Sequence, residues 1–207
     1  IVDSEILVAR AFSKYLESLN ISFSEKEFSI YAGRKTFQVI DELSDKFNIE
    51  DKKIFFDNIM NIAKDIYSTD LQPVEGARYF LENNNKKIFI GSNSIKKRIL
   101  IGLKKIRFDH FFKQDSVFSF DTVKKPKPFP DIYLEVIKRH RLNKNETVIV
   151  EDSAVGVKSG VAAGVQVIGF TAGQHWYKNR SAQELIDAGA TCLIDNYDDL
   201  MKMINNL

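Results

Sequence analysis

Between Ser4 and Asp70 the apolar residues recur at helical spacing. The stretch SEILVARAFSKYLESLN sets Ile6, Ala9, Phe12, Leu16 and Leu19 on one stripe. TFQVIDELSDKF and KKIFFDNIMNIAKDIYSTD repeat the period with polar breaks between them, which predicts a small all-helical bundle. After LQPVEG the pattern changes. Pro73 and Gly76 mark a turn, and Ala77–Glu82 predicts a helix closed by the turn-rich Asn83, Asn84 and Asn85. From there short apolar runs alternate with helical periods. KKIFIGS, VFSF, TVIVED, VQVIGF and TCLID read as strands. Ser94–Lys105, DIYLEVIKRH, AVGVKSGVAAG, SAQELIDAGA and DDLMKMIN read as helices. Continuous apolar strands separated by helices predict an α/β fold with a parallel sheet covered on both faces. In such sheets ligands bind at the carboxyl ends of the strands.

Composition narrows the function classes. Of the 207 residues 44% are hydrophobic, enough to bury one good core and leave room for a small second domain. Thirty basic and 28 acidic residues give a net charge of +2 with the signs interspersed. That balance speaks against a nucleic-acid partner or a membrane surface. No apolar run reaches transmembrane length and no signal-peptide pattern opens the chain. The one cysteine, Cys192, excludes an internal disulfide and fits a reducing cytoplasm. It lies in the run TCLI, where a buried structural thiol is the ordinary role.

Three features fall just after expected strands. In FIGSNS the strand ends at Gly91, and Ser92, Asn93 and Ser94 precede a helix. Hydroxyl, amide and free backbone N–H groups there suit an anion such as phosphate, and equally suit a plain helix cap. In KKPKPFPDIY, Lys127 stands between Pro126 and Pro128. It is either an ammonium presented from a stiff loop or a solvated lysine. In VIVEDSAVGVKSGVAAGV the strand stops at Glu151 and Asp152. Two carboxylates at a strand end suit Mg²⁺, which takes hard oxygen ligands and keeps water and substrate phosphate for the rest. Ser153 can cap the following helix, and Gly156, Gly160 and Gly164 let that helix pack close to its strand. No His or Cys cluster stands at zinc-ligand spacing. His175, in GQHWY, reads as structural or peripheral.

In this order and spacing, FIGSNS, the lysine of KPKPFPDIYL, VIVEDSAVGVKSGVAAG and the tail VIGFTAGQH…ELIDAGAT resemble the haloacid dehalogenase superfamily. The subgroup is that of sugar-phosphate phosphatases and β-phosphoglucomutases with a helical cap. The resemblance covers essentially the whole chain. It implies a Rossmann-like core of residues 1–3 and 73–207 and a helical cap of residues 4–72. It also implies that Ser92 binds the transferring phosphoryl group with the backbone of Asn93, and that Lys127 bridges phosphate and nucleophile. Asp152 would hold Mg²⁺ directly, with Glu151 supporting it directly or through water. Gly33, Arg34 and Lys35, in YAGRKT, would read the substrate from the cap, or form a solvated turn between two cap helices.

One part of the pattern is missing. The family's first motif is a strand ending in Asp-x-Asp-Gly, and IVDSE matches the text that follows it. Asp3 therefore belongs to the start of the cap and is not the nucleophile. The central strand and the nucleophilic aspartate are expected upstream of Ile1, within roughly a dozen residues, about one strand and turn. With them, the implied reaction is phosphoryl transfer through an aspartyl-phosphate on a small phosphate ester, most simply a sugar phosphate, by a monomer or weak homodimer. A mutase of the same family would return the phosphoryl group to a second hydroxyl. A catalytically inert relative would keep Ser92, Lys127 and Asp152 as a pocket for a phosphate ligand or a partner.

Overall fold

The computed structural model describes residues 1–31, 33–177 and 180–206, and the chain divides into two compact units. One comprises Val2–Gln72 with Gln174–Lys178, the other Ile1, Pro73–Gly173 and Asn179–Leu207. In the first unit the apolar stripes become helices α1 (Ser4–Ser18), α2 (Glu25–Phe28), α3 (Thr36–Phe47) and α4 (Lys52–Asp70). Ile6, Ala9, Phe12 and Leu16 of the α1 stripe are buried, as the helical period requires. Leu19 is not: it caps the end of α1 and is 40% exposed, because the helix stops one residue before it. Phe12 lies at the centre of the unit, with ring centroids 4.6 Å from Phe28 and 5.9 Å from Phe55, the latter edge-on. The short α2 is held by a capping box in which Ser24 and Glu27 satisfy each other's backbone N–H groups. Asp3, buried, accepts a hydrogen bond from the Gln174 N–H at 2.8 Å, which ties this unit's two chain segments together.

The second unit alternates as the sequence predicts. It runs α5 (Ala77–Asn83), β1 (Ile90–Ser92), α6 (Lys96–Lys105), β2 (Val117–Ser119), α7 (Asp131–His140), β3 (Val148–Glu151) and α8 (Ala154–Ala162). β4 (Gln166–Phe170), α9 (Gln183–Asp187), β5 (Cys192–Ile194) and α10 (Tyr197–Asn205) complete it. Every strand pair is parallel. The strands form two ladders, β1–β2 and β3–β4–β5, so among the described residues β1 and β3 each pair along one edge only. This explains why the apolar run from Lys86 yields only three paired residues: an extended segment counts as strand only where a ladder holds it. In β4, Val167, Ile168 and Phe170 are buried, as expected of a strand covered on both faces.

Helix α8 can lie directly on this ladder because Gly160 has no side chain. A Cβ at that position would come within 2.6 Å of Val167 Cγ2 and 3.1 Å of Ile149 Cδ1. Gly160→Ala therefore overpacks the contact and should destabilise the protein by about 1–3 kcal/mol, read from urea unfolding. A variant as stable as the wild type would show that α8 is free to lift off the sheet.

Candidate active site

The three sequence segments meet at the carboxyl ends of β1 and β3. β1 ends on Ser92, whose Oγ accepts the Ser94 N–H at 3.1 Å and so retains its own proton to donate. The expected cap role falls elsewhere. Ile95 occupies the N-cap of α6 and gives no side-chain bond, while the Lys96 N–H is taken by Asp121 Oδ1 at 3.1 Å. Asp121, on the turn after β2, is held below the usual carboxylate range, chiefly by the Ser119 hydroxyl. The loop Ser92–Ser94 is thereby relieved of capping.

Asn93 turns its side-chain amide toward the third segment. Its Oδ1 accepts the Lys127 N–H at 2.9 Å, and its Nδ2 donates to the Lys127 carbonyl at 3.3 Å. One amide thus satisfies both backbone groups of the lysine, as a neighbouring strand would. The same loop is fastened twice more. Asp131 Oδ1 accepts the Lys125 N–H at 3.2 Å, and the fully buried Ser159 donates its hydroxyl to the Phe129 carbonyl at 2.7 Å. The sequence credits the stiffness of this loop to its prolines; these three polar anchors add to it.

Lys127 is 7% exposed, which removes the solvated-lysine alternative. Its Nζ donates to the Gly91 carbonyl of β1 at 2.9 Å and to Glu151 Oε1 at the end of β3. A single ammonium therefore ties one edge strand of each ladder, β1 and β3, among the described residues. Glu151, also buried, accepts on the same oxygen from the phenol of Tyr133, and its Oε2 lies 3.5 Å from Ser153 Oγ. Space for this carboxylate comes from Gly156, the third residue of α8: a Cβ there would sit inside it. Ser153 caps α8 by accepting the Gly156 N–H at 3.1 Å. Burial, and then the charges of Glu151 and Asp152, push the Tyr133 phenol well above its usual value, so it stays a donor through the neutral range. Tyr133 escaped sequence reasoning because its place on the buried face of α7 accounts for it as core.

Asp152, next to Glu151, is half-buried. Mg²⁺ needs hard oxygen donors and binds through as few as one or two carboxylates, and Asp152 at a strand end fits that demand. Glu151 has its oxygens engaged by Lys127, Tyr133 and Ser153. Among the described residues no three His, Cys, Asp or Glu side chains gather as a metal cluster. In the helical unit, YAGRKT includes Ala32, which lies outside the described residues. Gly33 donates its N–H to Glu5 at 3.0 Å. Arg34 pairs with Glu42 at 2.7 Å over the Tyr31 ring and holds that carboxyl low. Lys35 stands 5.4 Å from the Phe37 ring. His175 is buried in the same unit, beside Trp176.

Removing one member of a buried ion pair strands the other. Lys127→Met should cost about 3–5 kcal/mol by urea unfolding at neutral pH, and adding Glu151→Gln should recover roughly half of it. A loss below about 1 kcal/mol would mean that water reaches the pair.

The sequence pattern of the haloacid dehalogenase-like hydrolases matches residues 1–170. The chain is 26% identical over 178 residues to the 6-phosphogluconate phosphatase of Escherichia coli (strain K12), covering 84% of this chain and 80% of that one. It is 24% identical over 198 residues to a phosphorylated carbohydrates phosphatase of Thermotoga maritima, covering 94% and 89%. Among solved structures, a conserved haloacid dehalogenase-like protein of unknown function from Agrobacterium tumefaciens superposes with a TM-score of 0.90 at 27% identity. That match covers 100% of this chain and 93% of the other. The ordered motifs, the parallel α/β architecture and the extent of these matches agree: the chain belongs to the haloacid dehalogenase-like hydrolase family.

Proposed function

We propose that the protein is a phosphatase that hydrolyses the monoester of a small phosphorylated metabolite, a sugar phosphate or phosphorylated sugar acid. The observation that carries the reading is the Lys127 ammonium, held between the ends of β1 and β3. Two of its three N–H bonds go to Gly91 and Glu151, which leaves one to meet a phosphoryl oxygen. The Ser92 hydroxyl, whose oxygen accepts from Ser94 and whose proton is unused by that bond, donates to a second oxygen, and the Asn93 backbone N–H serves beside it. The two relatives with phosphatase names support the substrate class.

The nucleophile in this reading is an aspartate on a strand preceding Ile1, seated between β1 and β3, whose ends Lys127 brings together and whose facing edges carry no ladder among the described residues. Its attack on phosphorus gives an aspartyl-phosphate, a second aspartate of that strand protonates the leaving alcohol, and water then releases phosphate. Asp152 is the residue that would hold magnesium, with Glu151 fixing the lysine behind it. When bound, the ion supplies positive charge to the phosphoryl oxygens. The helical unit acts as the substrate-selecting cap, with Gly33, Arg34 and Lys35 as its reading residues.

Full-length protein should release inorganic phosphate from phosphorylated sugars and sugar acids, and EDTA should stop it. Asp152→Ala should lower turnover by at least about a hundredfold with little change in melting temperature. Undiminished turnover in that variant would remove Asp152 from the metal site. Silence of the wild type across the whole panel would remove the phosphatase reading.

A further inference from the structure

We propose that Tyr133 is a positioning residue that sets where the Lys127 ammonium stands, acting through Glu151 and through its own ring; this rests on the phosphatase reading above. Two donors, the Tyr133 phenol and Lys127 Nζ, share a single acceptor, Glu151 Oε1. The carboxylate is buried against α8, where Gly156 leaves it room but no side-chain partner, and among the described residues its other oxygen meets the long 3.5 Å approach of Ser153. The phenol therefore satisfies a large part of the demand that a buried carboxylate makes on its donors. The Tyr133 ring also lies beside the ammonium, with its centroid 5.0 Å from Nζ, a second attraction from a different direction. Sharing Oε1 with the phenol limits how much of the ammonium's charge Glu151 neutralises, while Nζ also donates to the Gly91 carbonyl and keeps its third N–H available.

Without the phenol oxygen, Lys127 is left as the strong donor to Glu151 among the described residues. The ammonium, already in direct contact with that oxygen, is held by it more strongly, and its charge is more fully neutralised there. It then contributes less where negative charge develops on the phosphoryl group, an effect that belongs to the transition state more than to substrate binding.

The test is the kinetics of Tyr133→Phe in the full-length protein, which keeps the ring and removes one oxygen. Gly160→Ala serves as a comparison, destabilised by packing at a distance from the cluster. With the phosphorylated sugar or sugar acid that the wild type hydrolyses fastest, Tyr133→Phe should lower kcat about tenfold while KM stays within about twofold. Gly160→Ala, assayed well below its melting temperature, should keep the wild-type kcat. The Lys127 side-chain ammonium resonance, observed with isotope-labelled lysine, should move in Tyr133→Phe and not in Gly160→Ala. An unchanged kcat with an unmoved resonance would overturn the positioning role and leave the phosphatase reading intact. Equal kcat losses in the two variants would show a merely structural effect and overturn it as well. A raised KM at constant kcat would do the same, by making Tyr133 a determinant of binding. A wild type that hydrolyses none of the substrates would overturn both readings at once.

Discussion

A lysine ammonium and a glutamate carboxylate, both out of water, meet between two strand ends that no ladder joins. Most of the candidate site follows from that pair. Desolvating two charges costs several kcal/mol each, and the pair survives only because its remaining hydrogen-bond capacity is also met. Gly91 lends a carbonyl, Tyr133 a phenol and Ser153 a hydroxyl. Each comes from a different element: β1, α7 and the cap of α8. The pair therefore couples the packing of those elements to the placement of one positive charge.

The same economy governs the loop that carries the lysine. A side chain can be held at its tip while its backbone wanders, and here both ends are fixed. Asn93 takes the two backbone groups of Lys127, Asp131 and Ser159 take groups two residues to either side, and Glu151 takes the ammonium. Because Asp121 caps α6, the residues after β1 can serve that purpose. A cap in that loop would have turned at least one of their side chains toward the helix.

Much of this was legible in the chain, for identifiable reasons. Helices α3, α4 and α7 fall where the periodicity puts them, since long amphipathic segments declare their buried face. Ser92, Lys127 and Glu151 converge because parallel strands deliver their carboxyl ends to one rim. The anchors were not legible. Asn93 and Ser159 act across the fold on backbone groups and Asp131 on a nearby backbone N–H, and backbone partners carry no sequence signature. Tyr133 was read only as part of the helix DIYLEVIKRH, where an aromatic side chain gives no reason to look at its oxygen. The glycines after Asp152 read as a packing stripe, but only Gly160 acts that way on a strand; Gly156 faces a carboxylate.

That glycine constrains how the protein can diverge. The space above its Cα is occupied by the end of the Glu151 side chain, so positions 151 and 156 divide one small volume between them. A methyl group at 156 becomes tolerable only when the acid at 151 is shortened by a methylene, and then Tyr133 and Lys127 must reach further to meet it. A side chain at either position is therefore chosen with the other in view: Gly to Ala at 156 collides with Glu151, and Glu to Asp at 151 leaves the space beside Gly156 unfilled. The two sites are thus coupled through space, five positions apart in the chain and on either side of the start of α8.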